Sequence, residues 1–493
     1  MTSPMHNGLP PAPPATRPRH GALAVRLLAW GLALGGALLA GCSTMAPTTG
    51  DVVADMARPA AHWKESAPEG WVRTTDESLQ GLWQQQRWWP LFGDAQLDAL
   101  MERVEVGNQN IAQAAASVAQ AQALLQQSQA QRWPTLGLQA GGSRSGDPAR
   151  GSATLGLAAS WAPDLWGRVG AQVQAQQAAV QASEADLAGA RLAAQASLAQ
   201  GYFALREADA ELLLMDEIIA GYTRSLQITD NRYRAGVAAH TDLLQAQTTL
   251  ENARATRAGL QRTRALTEHA LALLVGEPPA QFTLASAPWV RTAPQLPLLL
   301  PSELLLRRPD VAASERDVAA ANAGIGVARA AWFPSVNLSA GLGGAAASAG
   351  ELLSAPVLAW SLGASLAQTL LDAGARDAAV QQAVAAQQAA SARYRQTALG
   401  AMGEVEDQLS TLRTLERQIA HQGSAADAAA GAEQRMLNSY EAGLSDYTSV
   451  VTAQASTLSA RRSLMQLQLQ QQQAVVALVQ ALGGGWQAPW AQQ

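Results

Sequence analysis

The chain has 493 residues, 48% apolar but only 5% aromatic and 15% charged, with 34 Lys and Arg against 39 Asp and Glu for a net charge of −5. That balance excludes nucleic acid as a partner, because affinity for it comes from neutralising phosphates with Lys and Arg. A single cysteine excludes an internal disulfide framework and any multi-cysteine metal site, and the six scattered histidines form no His-x-x-x-His ligand pair.

Residues 1–20 are polar and proline-rich, and Arg17, Arg19 and Arg26 precede an apolar run over residues 27–40. As a helix that run spans about 21 Å, short of the ~30 Å bilayer core, so it reads as the apolar region of a signal peptide. It ends in Leu39-Ala40-Gly41-Cys42, with the one cysteine at the cleavage point. The tetrapeptide resembles the bacterial lipobox, which implies a covalent lipid on Cys42, and Ser43 in place of Asp implies transfer to the outer membrane. A lone cysteine behind an ordinary signal is the plainer alternative. After Cys42 there is no run of about 20 apolar residues, so a membrane crossing would have to be made by strands in a closed barrel.

Proline is absent from residues 164–277 and again from 357–488, and both stretches are rich in the helix formers Ala, Gln, Leu, Arg and Glu. Leu198, Gly201, Leu205, Ala208, Leu212, Met215, Ile219, Tyr222 and Leu226 form a ladder of alternating three- and four-residue steps. Such a heptad pattern predicts a supercoiled helix over Arg168–Arg234, about 100 Å long. Shorter helices are expected over 94–131 and 241–275.

The chain also repeats itself. Tyr233 and Gly236 return as Tyr440 and Gly443, and Ala246-Gln247 as Ala453-Gln454, all at an offset of 207. Upstream, Trp133-Pro134 matches Phe333-Pro334 at an offset of 200, so the second copy gains its extra residues between Gly341 and Gly363. Two copies of helix–hairpin–helix follow. In the first hairpin Leu136, Leu138 and Ala140 alternate on one face, as do Leu155, Leu157, Ala159 and Trp161. The second has Val336, Leu338, Ala340 and Leu342, then Leu358, Trp360, Leu362, Ala364 and Leu366. Period-two alternation of this length suits a lipid-facing strand over a polar lumen, although a soluble half-buried hairpin has the same period. Four strands cannot close a membrane barrel, which needs about eight, and an open edge in lipid is untenable, so the lipid reading requires oligomerisation.

In this order, several segments resemble the TolC-type outer-membrane efflux proteins, in the lipoprotein branch that serves RND pumps (NodT/OprM-like). They are Trp88-Trp89-Pro-Leu-Phe-Gly-Asp94, Asp164-Leu-Trp-Gly-Arg168, Arg234-Ala-Gly236 with Asp242-Leu-Leu-Gln-Ala246, Leu273-Leu-Val-Gly276, Leu304-Leu-Leu-Arg-Arg-Pro-Asp310, Ile325-Gly-Val-Ala-Arg-Ala330 and Ala481-Leu-Gly-Gly-Gly-Trp486. The resemblance implies a mainly α fold with a β-barrel portion: a long coiled-coil helical barrel and four membrane strands per protomer, twelve in a homotrimer. It divides the chain into a signal peptide (1–41), an anchored N-terminal segment and belt (42–93), a first repeat (94–280, strands near 135–142 and 154–161), a belt linker (281–309), a second repeat (310–486, strands near 335–343 and 358–367) and a tail (487–493).

The same resemblance implies a passive outer-membrane export channel of a Gram-negative bacterium, with a periplasmic adaptor and an inner-membrane pump as partners. Service to a type I or other exporter, or a lipid-anchored coiled-coil scaffold, are the alternatives. No enzymatic constellation is visible, and no cofactor or metal beyond the lipid at Cys42 is expected. Tyr233, Arg234, Gly236, Asp242, Tyr440, Gly443 and Asp446 fall at the expected periplasmic tip, where the adaptor would dock; a plain helix-hairpin turn needs the same glycines. Ser449 and Thr452 stand where the family commonly carries gate aspartates, and ion pairs among Arg232, Arg234, Glu441 and Asp446 are expected to hold the tip. Trp133, Trp161, Trp166, Trp332 and Trp360 suit either interfacial anchors or junction packing. Arg307, Arg308 and Asp310 read as a charged helix start, and 466–473 as a solvated helix face.

Overall fold

The computed structural model describes residues 62–65, 85–146, 150–294, 296, 307–354 and 359–492. Leu39, Ala40, Gly41 and Cys42 lie outside the described residues, as does Leu358.

The two copies share one plan. The first has α1 (Ala95–Gly107), α2 (Gln109–Ala130), strands β1 (Thr135–Ser145) and β2 (Arg150–Trp161), then α3 (Arg168–Arg234) and α4 (His240–Leu274). The second has α5 (Pro309–Ala330), β3 (Ser335–Ala346), the short α6 (Ala349–Ser354), β4 (Ala359–Ala367), then α7 (Ala375–Glu441) and α8 (Tyr447–Ala481). Corresponding helices match in length: α2 and α5 have 22 residues, α3 and α7 have 67, and α4 and α8 have 35. At the ~1.5 Å helical rise, the 67-residue helices are each about 100 Å long. Strand-to-helix corners are turned by Gly167 (φ 73°) and Gly374 (φ 90°). Asp164 then takes the free amides of Val169 and Gly170 at 3.0 and 2.7 Å.

Three strands extend further toward their turns than the leucine alternation indicates, because ladder pairing such as Ser143 with Ser152 continues after the apolar side chains stop. The helix expected over 94–131 is two helices. Asn108 breaks it in extended conformation, its carboxamide oxygen accepting from the amides of Asn110 and Ile111 at 3.0 and 3.3 Å.

That break has a tertiary cause. The C-terminal end of α4 meets the start of α2 end to end: Asn108 Nδ2 donates to the Leu274 carbonyl at 2.8 Å. A Cβ on Gly276, where φ is 75°, would lie 2.0 Å from the Gly107 oxygen, and one on Gly107 would lie 2.1 Å from the Val275 oxygen. The second copy repeats the joint. Arg308 Nη1 donates to the Ala481 carbonyl at 3.1 Å, and a Cβ on Gly483 would lie 2.0 Å from the Arg307 oxygen. Each copy thus has one continuous rod and one composite rod, built from helices far apart in sequence. Arg308 is the joint's cation, also paired with Asp310 at 2.7 Å and Glu404 at 2.6 Å.

The main core surrounds these joints. Trp88, Phe92, Leu97, Met101, Tyr202, Phe203, Leu205, Leu271, Leu412 and Val475 are buried in it. Of the heptad ladder, Leu198, Leu205, Ala208, Met215 and Tyr222 are buried, while Tyr202, Phe203 and Ile218 widen the apolar face. Beside it lies a buried ionic cluster. Arg206 donates to Asp209 at 2.7 Å, to Gln96 at 2.6 Å and to the Ala285 carbonyl at 3.0 Å. Arg264 reaches Asp209 and the Leu284 carbonyl, each at 2.6 Å, and Glu268 accepts from the Leu284 amide at 2.7 Å. These bonds hold the extended segment after α4 against α3 and α4. The same segment crosses α8, where Gln472 accepts from the Trp289 indole at 2.9 Å and donates to the Val290 carbonyl at 2.7 Å. Gln472 is therefore buried, which corrects the reading of 466–473 as a uniformly solvated face. Residues 62–65 lie on α7, where the Glu406 carboxylate accepts from the amides of Lys64 and Glu65 at 2.7 and 2.8 Å.

The joint gives a paired prediction. Gly276→Ala and Gly236→Ala both force alanine to positive φ, at about 1–2 kcal/mol, but only at Gly276 does the new methyl meet backbone. Gly276→Ala is expected to unfold at clearly lower denaturant concentration than Gly236→Ala. Equal midpoints would contradict the joint.

A second prediction concerns Glu207, whose carboxyl is pushed up to about 7 by burial first and by Glu211 second, with Arg462 only partly offsetting. A folded-state value above the unfolded one means that the folded chain holds the proton more tightly. Stability should therefore fall as pH rises from about 4.3 toward 7 and level off above. Glu207→Gln is expected to flatten that part of the stability–pH curve and to exceed the wild type at pH 8, in thermal unfolding.

Candidate functional site: the strand sheet and the helical tip

The four strands form one antiparallel sheet in the order β1-β2-β3-β4. Its register aligns Leu138, Leu157, Leu342 and Trp360 in a single row across all four strands. Leu136, Leu338, Leu362 and Leu366 share that face by the two-residue alternation. The exposure is large: 71% for Leu136, 79% for Trp360 and 78% for Leu362. The opposite face carries Gly137, Gln139, Thr154, Ser160, Asn337, Ser339, Ser361 and Ser365, small or uncharged polar, with Arg150 at the turn end of β2. Ser160 donates to Asn337 at 3.2 Å. Strands of 9–12 residues match the length needed to cross a bilayer at a tilt. Within one chain, β1 and β4 are open edges. Among the described residues no helix is long and apolar enough to cross a membrane.

The structure sorts the tryptophans. Trp133 and Trp360 are 74% and 79% exposed at the sheet. Trp166 stacks on Phe333 at 5.0 Å and donates to the Pro334 carbonyl at 2.6 Å, so it is junction packing. Trp161 donates to the Arg132 carbonyl at 3.0 Å, and Arg376 lies 4.8 Å over the Trp332 ring.

At the far end of the long helices, two turns repeat one geometry. The Gly236 amide donates to the Tyr233 carbonyl at 2.9 Å and that of Val237 to Arg232 at 2.9 Å; Gly443 and Leu444 do the same to Tyr440 and Ser439 at 3.0 and 2.8 Å. These are helix-terminating turns that leave the glycines at φ 73° and 75°. Tyr233 faces His240 at 5.2 Å, and Tyr440 faces Tyr447 at 5.3 Å. Tyr440 is buried where Tyr233 is exposed, because Ala246, Tyr447 and Val450 pack with it and Arg232 of the first copy covers its ring. The guanidinium stands 4.6 Å over the Tyr440 ring and donates to the Tyr440 carbonyl at 2.5 Å.

The expected ion pairs across the copies are corrected here. Arg232 takes a carbonyl and a ring, not a carboxylate, and Arg234 pairs with Asp230 one turn back at 2.7 Å. Asp446 caps α8, accepting from the Ser449 amide at 2.7 Å, and that hydrogen bond holds its carboxyl below the usual range. Asp242 lies close enough to Tyr447 to help raise its phenol, behind burial, Tyr440 and Tyr222. Ser449 and Thr452 line a groove of about 550 Å³ together with Asp446, Ala429, Met436 and Ala453. Thr452 spends its hydroxyl on the Thr448 carbonyl at 2.9 Å.

Sequence reasoning missed a polar layer just above this tip. Ser225, Thr229, Gln454 and Thr457 are all buried, with Gln454 donating to Ser225 at 3.1 Å and Thr229 against the Tyr440 hydroxyl at 3.3 Å. Thr229 lies three residues beyond Leu226 on the heptad ladder, so one polar rung was legible in the sequence, whereas Ser225 falls outside that register.

An open sheet, apolar on one face and polar on the other, carried on paired 67-residue helices, defines the subunit of a membrane channel that closes only with further strands. The chain belongs to the outer membrane efflux protein family, whose sequence profile matches residues 100–277 and 300–484. It is an outer-membrane efflux channel. It is 30% identical over 462 residues to the cation efflux system protein CusC of Escherichia coli, covering 91% of this chain and 99% of that one. It is 32% identical over 421 residues to the pyoverdine export outer membrane protein OpmQ of Pseudomonas aeruginosa, covering 82% and 88%. Among solved structures, the outer-membrane channel OprN superposes with a TM-score of 0.76 at 29% identity, covering 90% of this chain and 97% of that one. The open state of the Neisseria gonorrhoeae MtrE channel gives 0.75 at 25% identity, covering 90% and 99%.

The tip contact yields a third prediction. Arg232→Ala removes a charge-assisted hydrogen bond of about 1.5–3 kcal/mol between the copies. If that bond holds the tip closed, open probability in planar bilayers should rise roughly ten- to hundred-fold. An unchanged open probability would show that Arg232 is structural only.

Proposed function

We propose that this chain is the outer-membrane duct of a tripartite, RND-type efflux system and works as a homotrimer anchored by lipid at Cys42. The observation that carries the trimer is the four-stranded sheet with two open edges and one leucine-covered face. Unpaired edges in hydrocarbon cost several kcal/mol per polar group, so the strands must pair with other copies, and three protomers give twelve strands. The polar sheet face then lines the pore, and the 67-residue helices form the periplasmic conduit. An adaptor from the periplasm would dock at the tips, around Tyr233, Arg234, Gly236, Asp242, Tyr440, Gly443 and Asp446, and an inner-membrane pump would supply the cargo. One relative is named for cation efflux and another for pyoverdine export, and small molecules are the cargo class proposed for this chain.

With Ser449 and Thr452 in place of gate carboxylates, the resting tip should bind hard cations poorly. Single-channel recording in planar bilayers tests the function: discrete conductance, little blocked by micromolar trivalent cation, is expected. Absence of conductance from well-folded protein would favour a coiled-coil scaffold instead. Detergent-corrected mass should correspond to three mature chains. Cys42→Ala should abolish palmitate labelling while leaving strand insertion intact, and labelling that persists would refute the anchor.

A further inference from the structure

The two strand–helix corners of a protomer differ in charge. At the first-copy corner, where α2 enters β1 and β2 leaves for α3, Arg132 and Arg168 are exposed. Among the described residues neither guanidinium has a carboxylate or hydrogen-bond partner. The one acid of this corner, Asp164, is committed to the amides of Val169 and Gly170. At the second-copy corner the corresponding cation is neutralised: Arg376 pairs with Asp372 at 2.5 Å and covers Trp332.

The unpaired cations are set in apolar surface. Trp133 is 74% exposed beside Arg132, and Leu165 and Trp161 are exposed on the same corner. A cleft of about 230 Å³ lies between this corner and the second-copy one, with Arg168 and the amide-bound Asp164 on its first-copy wall beside Leu165 and Val169, and Phe333 and Pro334 opposite. The leucine rows of β1 and β2 begin directly above, at Leu136 and Ala159. Tryptophan followed by leucine on one side and free arginine on the other matches the order of layers met on leaving hydrocarbon, first the glycerol region and then the phosphates. At that level a lipid phosphate is the anion that two exposed, unpaired guanidiniums would meet.

We propose that Arg132 and Arg168 bind the phosphate of an anionic phospholipid headgroup in the periplasm-facing leaflet, one site per protomer and only at the first-copy corner. The proposal rests on the reading above that the strands cross the outer membrane and the helices face the periplasm. Trp133, Trp161 and Leu165 seat the glycerol and the first acyl carbons. Bound lipid would fix the height and rotation of each protomer where sheet meets conduit. Arg376 takes no part, because Asp372 already holds it.

The test uses the full chain purified in detergent, titrated with phosphatidylglycerol and, as a control, phosphatidylcholine, with bound lipid counted by native mass spectrometry. Preferential phosphatidylglycerol binding is expected. Arg132→Gln with Arg168→Gln should weaken it about thirty-fold, on roughly fivefold per arginine near a lipid surface. Arg376→Gln should leave it within about twofold, and the Arg132→Lys, Arg168→Lys pair should retain most of it. The proposal is overturned if the double Gln variant binds like wild type, or if the Lys pair loses as much as the Gln pair. It is also overturned if millimolar inorganic phosphate displaces the lipid, which would mark a free-anion site. Planar-bilayer conductance separates the two readings: a conducting wild type with no phosphatidylglycerol preference refutes the lipid site alone, whereas a non-conducting wild type refutes the channel reading.

Discussion

The architecture depends on helix ends that touch. Where α4 runs into α2 and α8 into α5, backbone meets backbone at distances that leave no room for a Cβ on Gly107, Gly276 or Gly483. Helix termini carry unsatisfied amides and carbonyls, and a buried joint must satisfy them. Asn108 does so in one copy by bonding both helices at once, and Arg308 does so in the other with two carboxylates at hand. Because the joints hold, composite rods run alongside the continuous 67-residue helices. The buried core and the Arg206–Asp209–Arg264 cluster gather around that level, where four helix ends, the crossing segment and residues 62–65 converge.

Above and below the joints the molecule is built differently. Toward the sheet, positive-φ glycines and aspartate caps turn strand into helix within a few residues, so the sheet's register is transmitted directly to α3 and α7. Toward the tip, the packing between copies narrows to a small apolar cluster of Ala246, Tyr440, Tyr447 and Val450, with the polar layer and the arginine on Tyr440 beside it. The apolar core is thus largest at the middle of the molecule and smaller, with more polar contacts beside it, at the tip.

The internal repeat constrains both ends differently. Equal helix lengths in the two copies keep the rods in step, yet the copies have diverged wherever they face different surroundings. Tyr440 is buried under Arg232 while its counterpart Tyr233 is exposed. Arg376 is paired while Arg168 is free. In the proposed trimer the two similar halves of each chain would present six quasi-equivalent positions, and these differences are where the equivalence is broken.

Much of this was legible in the residues. Proline-free stretches and the heptad steps located α3 and α7, period-two leucines located the strands, and Gly236 and Gly443 located the turns, because each of these signals is local and repeats at the period of its own element. The order of family segments then placed the chain among outer-membrane efflux proteins. What was not legible was contact between residues distant in sequence. The break at Asn108 looked like continuous helix, since only the arriving end of α4 makes an interruption necessary. Gln472 looked solvated within a run of glutamines until the segment carrying Trp289 crossed it. The tip acids and arginines were expected to pair across the copies, but a helix-cap amide for Asp446, a tyrosine carbonyl for Arg232 and the same-helix Asp230 for Arg234 lay nearer. Sequence by itself determined the long helices, the places of the strands and the repetition of both, because those follow from local periodicity and backbone preference. Tertiary structure alone decided which helix ends abut and which cations remain free, because those depend on a polar group's nearest neighbour in space.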